Sequence, residues 1–232
     1  MSAKRLTAKG EATRHRIVVA AAQLMYEQGI SDTTMEDMRA ATGASSSQIY
    51  HYFADKQALL LAVIDYQTGA VLDLQAPHLD HLDTISGLRA WRDLLVGNQK
   101  RLQCRGGCPI GTLGSQTAET NPEARLAVAS GYLRWENAIR AGLTAMYSRG
   151  NLNGNPDDLA LALLTALQGG LLMTKIHRDV RPLEVALDTV LDRISSLSRT
   201  LPAVTTNRGR GGRTDRRLSA ASTLIEQTFT SG

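Results

Sequence analysis

Apolar residues return along this chain with helical spacing, and no segment alternates apolar with polar in the manner of a strand. Ile17, Ala20, Ala21, Leu24 and Met25 follow the i, i+3, i+4, i+7, i+8 pattern and predict one buried helix face ending near Gly29. Thr33 or Thr34 can cap the next helix, with Glu36 or Asp37 three residues on as the reciprocal partner. Met35, Met38 and Ala41 form its predicted buried side, and Gly43 stops it. A very short helix then opens at Ser45 or Ser46 and turns Ile49 inward. Asp55 caps a longer helix over 56–72, and Pro77 to Asp83 reads as a loop. Residues 84–103 predict a helix with Leu88, Trp91, Leu95 and Leu102 inward, and 109–118 a short one.

Asn121-Pro122-Glu123 is a strong start signal, with an Asn cap, a proline at the first helical position and an acid at the positive dipole end. That helix is expected to reach Gly150, about 28 residues or roughly 42 Å. Asn155-Pro156-Asp157-Asp158 repeats the signal. The last two helices are predicted over about 157–177 and 182–201. In the first of them, leucines from Leu159 to Leu172 fall on nearly every side. A helix apolar all round is buried all round. One face is therefore expected on the chain's own core and another on a second copy, with Gly169-Gly170 permitting close approach. Leu187, Val190, Leu191, Ile194 and Leu197 supply a second stripe. Two such helices per protomer predict a homodimer joined through a four-helix bundle. After Pro202 the composition shifts to Thr, Asn, Arg, Gly and Ser, which reads as a flexible basic linker to residue 217, followed by a short amphipathic helix over 218–229. The predicted class is all-α: a three-helix N-terminal domain over 1–54, a helical, dimerising domain over 55–202, and a basic tail over 203–232.

Two short helices joined by a tight glycine-containing turn match the helix-turn-helix plan, whose second helix enters the major groove by its N-terminal residues. Here those residues are Ser45, Ser46, Ser47 and Gln48. The serines are small and polar, and Gln48 has the carboxamide that pairs in bidentate fashion with adenine. Tyr50, His51 and Tyr52 follow as donors suited to the sugar-phosphate backbone. Thr34 and Lys56 stand at helix N-terminal ends, where free N–H groups already favour a phosphate. Phe53 reads as core.

Charge sharpens this picture. The formal net charge of +4 is unevenly spread. Lys4, Arg5, Lys9, Arg14 and Arg16 face only Glu11 in the first sixteen residues, and five arginines face two acids beyond residue 202. Residues 17–56, the reading head itself, carry Arg39 and Lys56 against five acids. Much of the attraction to a polyanion must then come from the basic N-terminal arm. The longest unbroken apolar run, Ala58–Ile64, has seven residues, far short of the roughly 20 of a membrane span. Cys104 and Cys108 fit a reducing compartment. A cytoplasmic, nucleoid-associated protein without membrane contact is expected. No zinc-ligand set, phosphate loop or catalytic constellation is visible, so neither metal, cofactor nor enzymatic activity is expected.

Residues 13–61 resemble the DNA-binding domain of the TetR family. The matching features are Arg14, Ile17, Ala21-Ala22 and Leu24, then Gly29, Thr33-Thr34, Gly43, Ser45 and Tyr50-x-Tyr52-Phe53-x-x-Lys56-x-x-Leu59. Two departures are Met38 where Ile is common and the order His51-Tyr52. Gly107-Cys108-Pro109-Ile110-Gly111 and Ala166-Leu167-Gln168-Gly169-Gly170-Leu171-Leu172 resemble a subgroup that includes regulators of multidrug-efflux genes. The resemblance implies double-stranded operator DNA as partner, a homodimer, and a small-molecule effector that lowers DNA affinity. The helix from Asp55 would be the lever between head and ligand domain. Pocket candidates are Trp91, Leu95, Cys108, Thr112, Gln116, Tyr132, Trp135, Gln168 and Met173, aromatics and isolated polar groups on otherwise apolar faces. His177 reads as a dipole partner at a helix end. Cys108 carries a second hypothesis. At the cap before Pro109, near Arg105, its thiolate would be favoured, and the protein would sense oxidants or electrophiles with Cys104 as resolving thiol.

Overall fold

The computed structural model describes residues 6–198, so Lys4, Arg5 and the tail over 203–232 lie outside the described residues, as does the predicted helix over 218–229. The described residues form α1 (Ala8–Glu27), α2 (Met35–Thr42), α3 (Ser46–Tyr52), α4 (Lys56–Leu79), α5 (Ile85–Arg101), α6 (Pro109–Thr117), α7 (Pro122–Ser148), α8 (Pro156–His177) and α9 (Arg181–Leu197). No strand appears among them; one isolated bridge joins Leu152 to Ser198. The architecture is all-α.

The first three helices pack around Ile17, Val18, Ala21, Ala22, Met25, Met38, Ile49 and Phe53, all buried. The buried face of α1 is rotated from the expected one. Val18 and Ala22 are inside, whereas Ala20 and Leu24 are only half-buried. In α2, Ala41 is exposed and Thr42 is buried in its stead, with its hydroxyl donating to the Met38 carbonyl at 2.7 Å. A threonine that satisfies its own hydroxyl in this way can face a core.

The fourth helix is longer than its proline suggests. Pro77 lies inside the last turn, and the Asp80 N–H closes the helix on the Ala76 carbonyl. A proline there removes a single ladder bond at the end of the helix, which is cheap compared with one in the middle. The extra turns carry Gln75 to Trp91, whose indole N–H donates to Gln75 Oε1 at 2.8 Å. Beyond them Leu82, fully buried, seats the connecting loop on α7 at Gly142.

Helices α4, α7 and α8 form the spine of the body, with α5 and α9 outside and α6 laid across α7. Glycines mark the closest crossings. A Cβ on Gly131 would meet Thr68 at 2.6 Å, and one on Gly170 would meet the Leu183 backbone at 2.9 Å. Gly169, its neighbour, has nothing within 4 Å. Ion pairs Arg92–Asp188 at 2.6 Å and Arg89–Asp192 at 3.0 Å tie α5 to α9. The carboxylate of Asp188 holds the Arg92 guanidinium above its already high pKa.

The eighth helix is the one described helix long and apolar enough to cross a membrane by length and composition. It is instead embedded between α7 and α9 on one side through Leu163, Leu164, Leu167 and Leu171. Its other side leaves Leu161, Leu172, Met173 and Ile176 at 44–64% exposure. The α9 stripe is largely consumed inside the protomer, with Leu187, Leu191 and Ile194 buried, while Val185 is exposed.

Gly142→Ala is expected to lower the unfolding free energy by about 1–3 kcal/mol, because its Cβ would strike the Leu82 backbone. Gly97→Ala, in open space on α5, is expected to raise it by about 0.5–1 kcal/mol through helix propensity. Urea unfolding of the two variants gives both signs.

Candidate nucleic-acid interface

The interface begins with two capping boxes. At the start of α2, Thr34 Oγ accepts from the Asp37 N–H, and the Thr34 N–H donates back to Asp37 Oδ2 at 2.8 Å. Thr34 Oγ also donates to that carboxylate oxygen at 2.6 Å, and Gln28 Nε2 reaches it at 3.3 Å. These bonds hold the Asp37 carboxyl below its ordinary pKa, led by the Thr34 hydroxyl. Thr33 is not the cap. It is buried, and its hydroxyl donates to the Gly29 carbonyl.

At the start of α3, Ser45 accepts from the Gln48 N–H, and Gln48 Oε1 accepts from the Ser45 N–H at 2.9 Å. The expectation of a free, bidentate Gln48 therefore needs correction. Its carbonyl oxygen is committed to the helix end, which leaves the NH₂ as the part able to reach a base. Ile49 and Phe53 anchor α3 to the core, and the Arg14 guanidinium lies 5.1 Å over the Phe53 ring. The outward surface is Ser45, Ser47, Gln48, Tyr50 and His51, with Ser46 and Tyr52 half-buried. Tyr50 is 53% exposed, and His51 stacks edge-on against Tyr52. Thus of the His51-Tyr52 pair, His51 is the one turned outward.

Two consecutive residues open α4 and face different partners. Lys56 Nζ donates to the Thr33 carbonyl at 2.9 Å, in the turn that leads into α2. Gln57 exchanges amide bonds with Asn121, the cap of α7: Gln57 Nε2 donates to Asn121 Oδ1 at 3.1 Å, and Asn121 Nδ2 donates back at 2.6 Å. Glu123 accepts a further bond from Gln57. Lys56 retains two other donors for a phosphate, but it is also a structural tie. Gln57 and Asn121 escaped the sequence reading as a pair. Only the cap role of Asn121 was visible, since the two are 64 positions apart.

Gln116 is a second correction. Assigned by pattern to a ligand pocket, it is exposed and faces the head, where its Oε1 accepts the Ile30 N–H at 2.8 Å. The first turn of α4 and the far end of α6 therefore both join head to body.

Of the remaining pocket candidates, Cys108, Tyr132 and Gln168 come together, and Trp135 lies one helical turn beyond Tyr132. The Tyr132 hydroxyl donates to Gln168 Oε1 at 3.1 Å, and a Cβ on Gly111 would touch both and Cys108. The Trp135 Nε1 has no hydrogen-bond partner, nor do Gln99 Oε1, Thr174 Oγ and the Gln168 amide nitrogen. The last lies near the Cys108 sulfur without normal hydrogen-bond geometry. Each such buried group costs about 1–3 kcal/mol while unpaired. Trp91 and Leu95 are buried in the core, with Trp91 satisfied by Gln75. Thr112 is half-buried on α6, and Met173 is 44% exposed on the outer face of α8 rather than in a cavity.

Cys108 does cap α6, with Gly111 N–H donating to its sulfur at 3.4 Å and Pro109 in the first turn. The expected thiolate does not follow. Burial pushes the Cys108 thiol up against the weaker help of its hydrogen bonds, and Arg105 is exposed. Desolvation outweighs the helix end. Tyr132 is pushed up by the same burial, and Tyr26 to about 12.

A family model described as bacterial regulatory proteins of the tetR family matches residues 17–63, and one described as the C-terminal domain of LmrA/YxaF-like transcriptional regulators matches 84–189. The chain belongs to the TetR family. An uncharacterised HTH-type transcriptional regulator of Mycobacterium tuberculosis is 29% identical over 185 residues, covering 74% of this chain and 89% of that protein. The HTH-type transcriptional repressor DhaR of Mycobacterium sp. (strain GP1) is 23% identical over 185 residues, 78% and 91% of the two chains. A TetR transcriptional regulator of Chloroflexus aurantiacus has the same fold, with a TM-score of 0.73 and 29% identity over 84% of this chain and 100% of that one. This TetR-family chain is thus a DNA-binding transcriptional regulator with an LmrA/YxaF-like body.

The head's caps are open to direct test. Ser45→Ala is expected to cost about 1 kcal/mol of unfolding free energy. The stabilising effect of Asp37 has a defined pH sign. Its folded pKa is lowered, so the gain of wild type over Asp37→Asn is present at neutral pH and fades as pH falls through that lowered value. Melting temperatures of the pair between neutral and acid pH check it.

Proposed function

We propose that this regulator is a homodimeric repressor released from its operator by a small molecule, with its head over residues 1–54 and its ligand-binding and dimerising body over 55–202. The observation that carries the reading is the opening turn of α4. Lys56 ties it to the head and Gln57 ties it to α7, so a shift of the body moves the reading helix. An effector acts only if it prefers the body arrangement in which the two heads are wrongly spaced for DNA.

On the head, the free N–H groups at the start of α2, together with Thr34 and Lys56, position phosphates. Ser45, Ser46, Ser47 and the Gln48 NH₂ meet base edges. Tyr50 and His51 flank them toward the sugar-phosphate backbone, with Tyr52 half-buried against the core beside His51. The uncovered apolar face of α8, continued by Val185 on α9, supports pairing with a second copy. The burial of both cysteines weighs against the oxidant-sensing alternative.

Footprinting on the gene's own upstream region tests the core of the reading and is expected to show a protected site with two-fold symmetry. Lys56→Ala should weaken binding to every sequence and reduce its salt slope, while Gln48→Ala should relax preference at particular positions. Identical behaviour of the two variants would refute this division of roles. Leu172→Glu with Ile176→Glu should turn the sedimenting species from dimer to monomer. A dimer that persists removes α8 from the interface.

A further inference from the structure

The reading of this chain as a dimer that meets two half-sites leaves open what sets the separation of its heads, and the inference that follows rests on that reading. We infer that Gln116 is a positioning residue for DNA recognition: by holding the turn between α1 and α2 on α6, it fixes the half-site separation that the regulator accepts. The turn is gripped from two sides. Gln116 Oε1 accepts the Ile30 N–H at 2.8 Å from α6, and Lys56 Nζ donates to the Thr33 carbonyl at 2.9 Å from α4. Within the turn, the Thr33 hydroxyl donates to the Gly29 carbonyl at 2.7 Å, so the two grips act on one unit. Thr34, next in the chain, caps α2.

The turn is shaped around the carboxamide. Gly29 has φ +97°, in the left-handed region that favours glycine, and a Cβ there would lie 3.3 Å from Gln116 Oε1. A Cβ on Gly106 would strike the Tyr26 hydroxyl, so the last turn of α1 also lies against the segment that leads into α6. The other half of α1 rests on α4 more loosely. A cleft of about 240 Å³ opens there, with His15 and Val18 on one wall and Ala62 and Tyr66 on the other. Packed helices slide over one another by small shear movements unless a directed bond pins them. Gln116 supplies such a bond just beyond the end of α1.

Magnitudes decide whether one hydrogen bond can matter. One base pair added between half-sites parts them by about 3.4 Å and turns one against the other by about 35°. Shared between two heads, this asks each to give by roughly 1.7 Å and 17°. A bond at 2.8 Å has lost its geometry beyond about 3.5 Å, a slack of roughly 0.7 Å. An intact Ile30–Gln116 bond therefore refuses the shifted site, and its loss admits it. The bond is solvent-exposed, so water can satisfy the Ile30 N–H once the acceptor is removed, and the fold keeps its stability.

Selection of bound duplexes from a random-sequence pool tests this with the full chain. Wild type is expected to enrich paired half-sites at one separation. It should bind that duplex at least about tenfold more tightly than copies with one base pair added or removed. Gln116→Leu should enrich the same half-site sequence, bind the original duplex within about threefold of wild type, and shrink the penalty for a shifted copy to about threefold or less. Gln116→Glu keeps an acceptor oxygen and should restore the full penalty. If Gln116→Leu instead weakens all three duplexes alike and leaves the penalty unchanged, the residue is only structural and the inference is overturned. A penalty lost in Gln116→Glu as well also overturns it. Amide hydrogen exchange over residues 28–34 of the free protein gives a second arm. Gln116→Leu should speed it at least about fivefold, with the melting temperature within a few degrees of wild type. Unchanged exchange overturns the clasp. The dimer reading fails differently: wild type then enriches single half-sites, there is no separation to lose, and the exchange alone decides the role of Gln116.

Discussion

The constraint on which the molecule depends is the commitment of adjacent residues at the start of α4 to opposite neighbours. Lys56 is held by the Thr33 carbonyl and Gln57 by Asn121. Because helix α4 begins at that point and runs unbroken to Leu79, the orientation of the head is set by the body's packing rather than by a free linker. Tyr26 repeats the arrangement from the other side, its hydroxyl set where a Cβ on Gly106 would fall, which brings the end of α1 against the segment leading into α6. The three-helix head is thus seated on the body at α4 and α6.

That seating gives the segment 103–107 its unusual backbone. Gln103, Cys104, Gly106 and Gly107 all have positive φ, and the first two are not glycine. Two side-chain-bearing residues in the left-handed region cost free energy, and surrounding contacts must hold them there. The contacts are those to Gln99, Arg178 and Tyr26. A stretch that touches α1, α5 and α8 at once has little freedom to choose an easier path.

Local chemistry was legible in the sequence where it acts over three or four residues. Thr34 with Asp37, Asn121 with Pro122 and Cys108 with Pro109 all name their helix ends, because a cap is decided by its immediate neighbours. The all-α class and the TetR resemblance follow from the same short-range patterns. Reading failed where long-range packing decides. Gln116 has the composition of a pocket residue, and only the approach of Ile30, 86 positions away, makes it a junction. Pro77 looks like a terminator, but the helix had already nearly finished its run. Cys108 has every local feature of an activated thiol, and burial by distant helices reverses the expectation. Gln48 shows a third kind of limit, since one residue can be both cap and reader and periodicity does not rank the two.

Beside the Lys56 tie, the contacts that join α6 to the head and α4 to α7 are built largely from groups that carry no charge. Gln57, Asn121 and Gln116 are carboxamides, and Ile30 contributes a backbone N–H. Amides do not titrate in the physiological range, and hydrogen bonds between neutral partners are screened far less by ions than contacts between full charges. Grip on a phosphate backbone, by contrast, varies steeply with ionic strength. The amide bonds at Gln57–Asn121 and Gln116–Ile30 therefore respond less to salt and acidity than the hold on DNA, whereas the Lys56–Thr33 and Gln57–Glu123 bonds each keep a charged member.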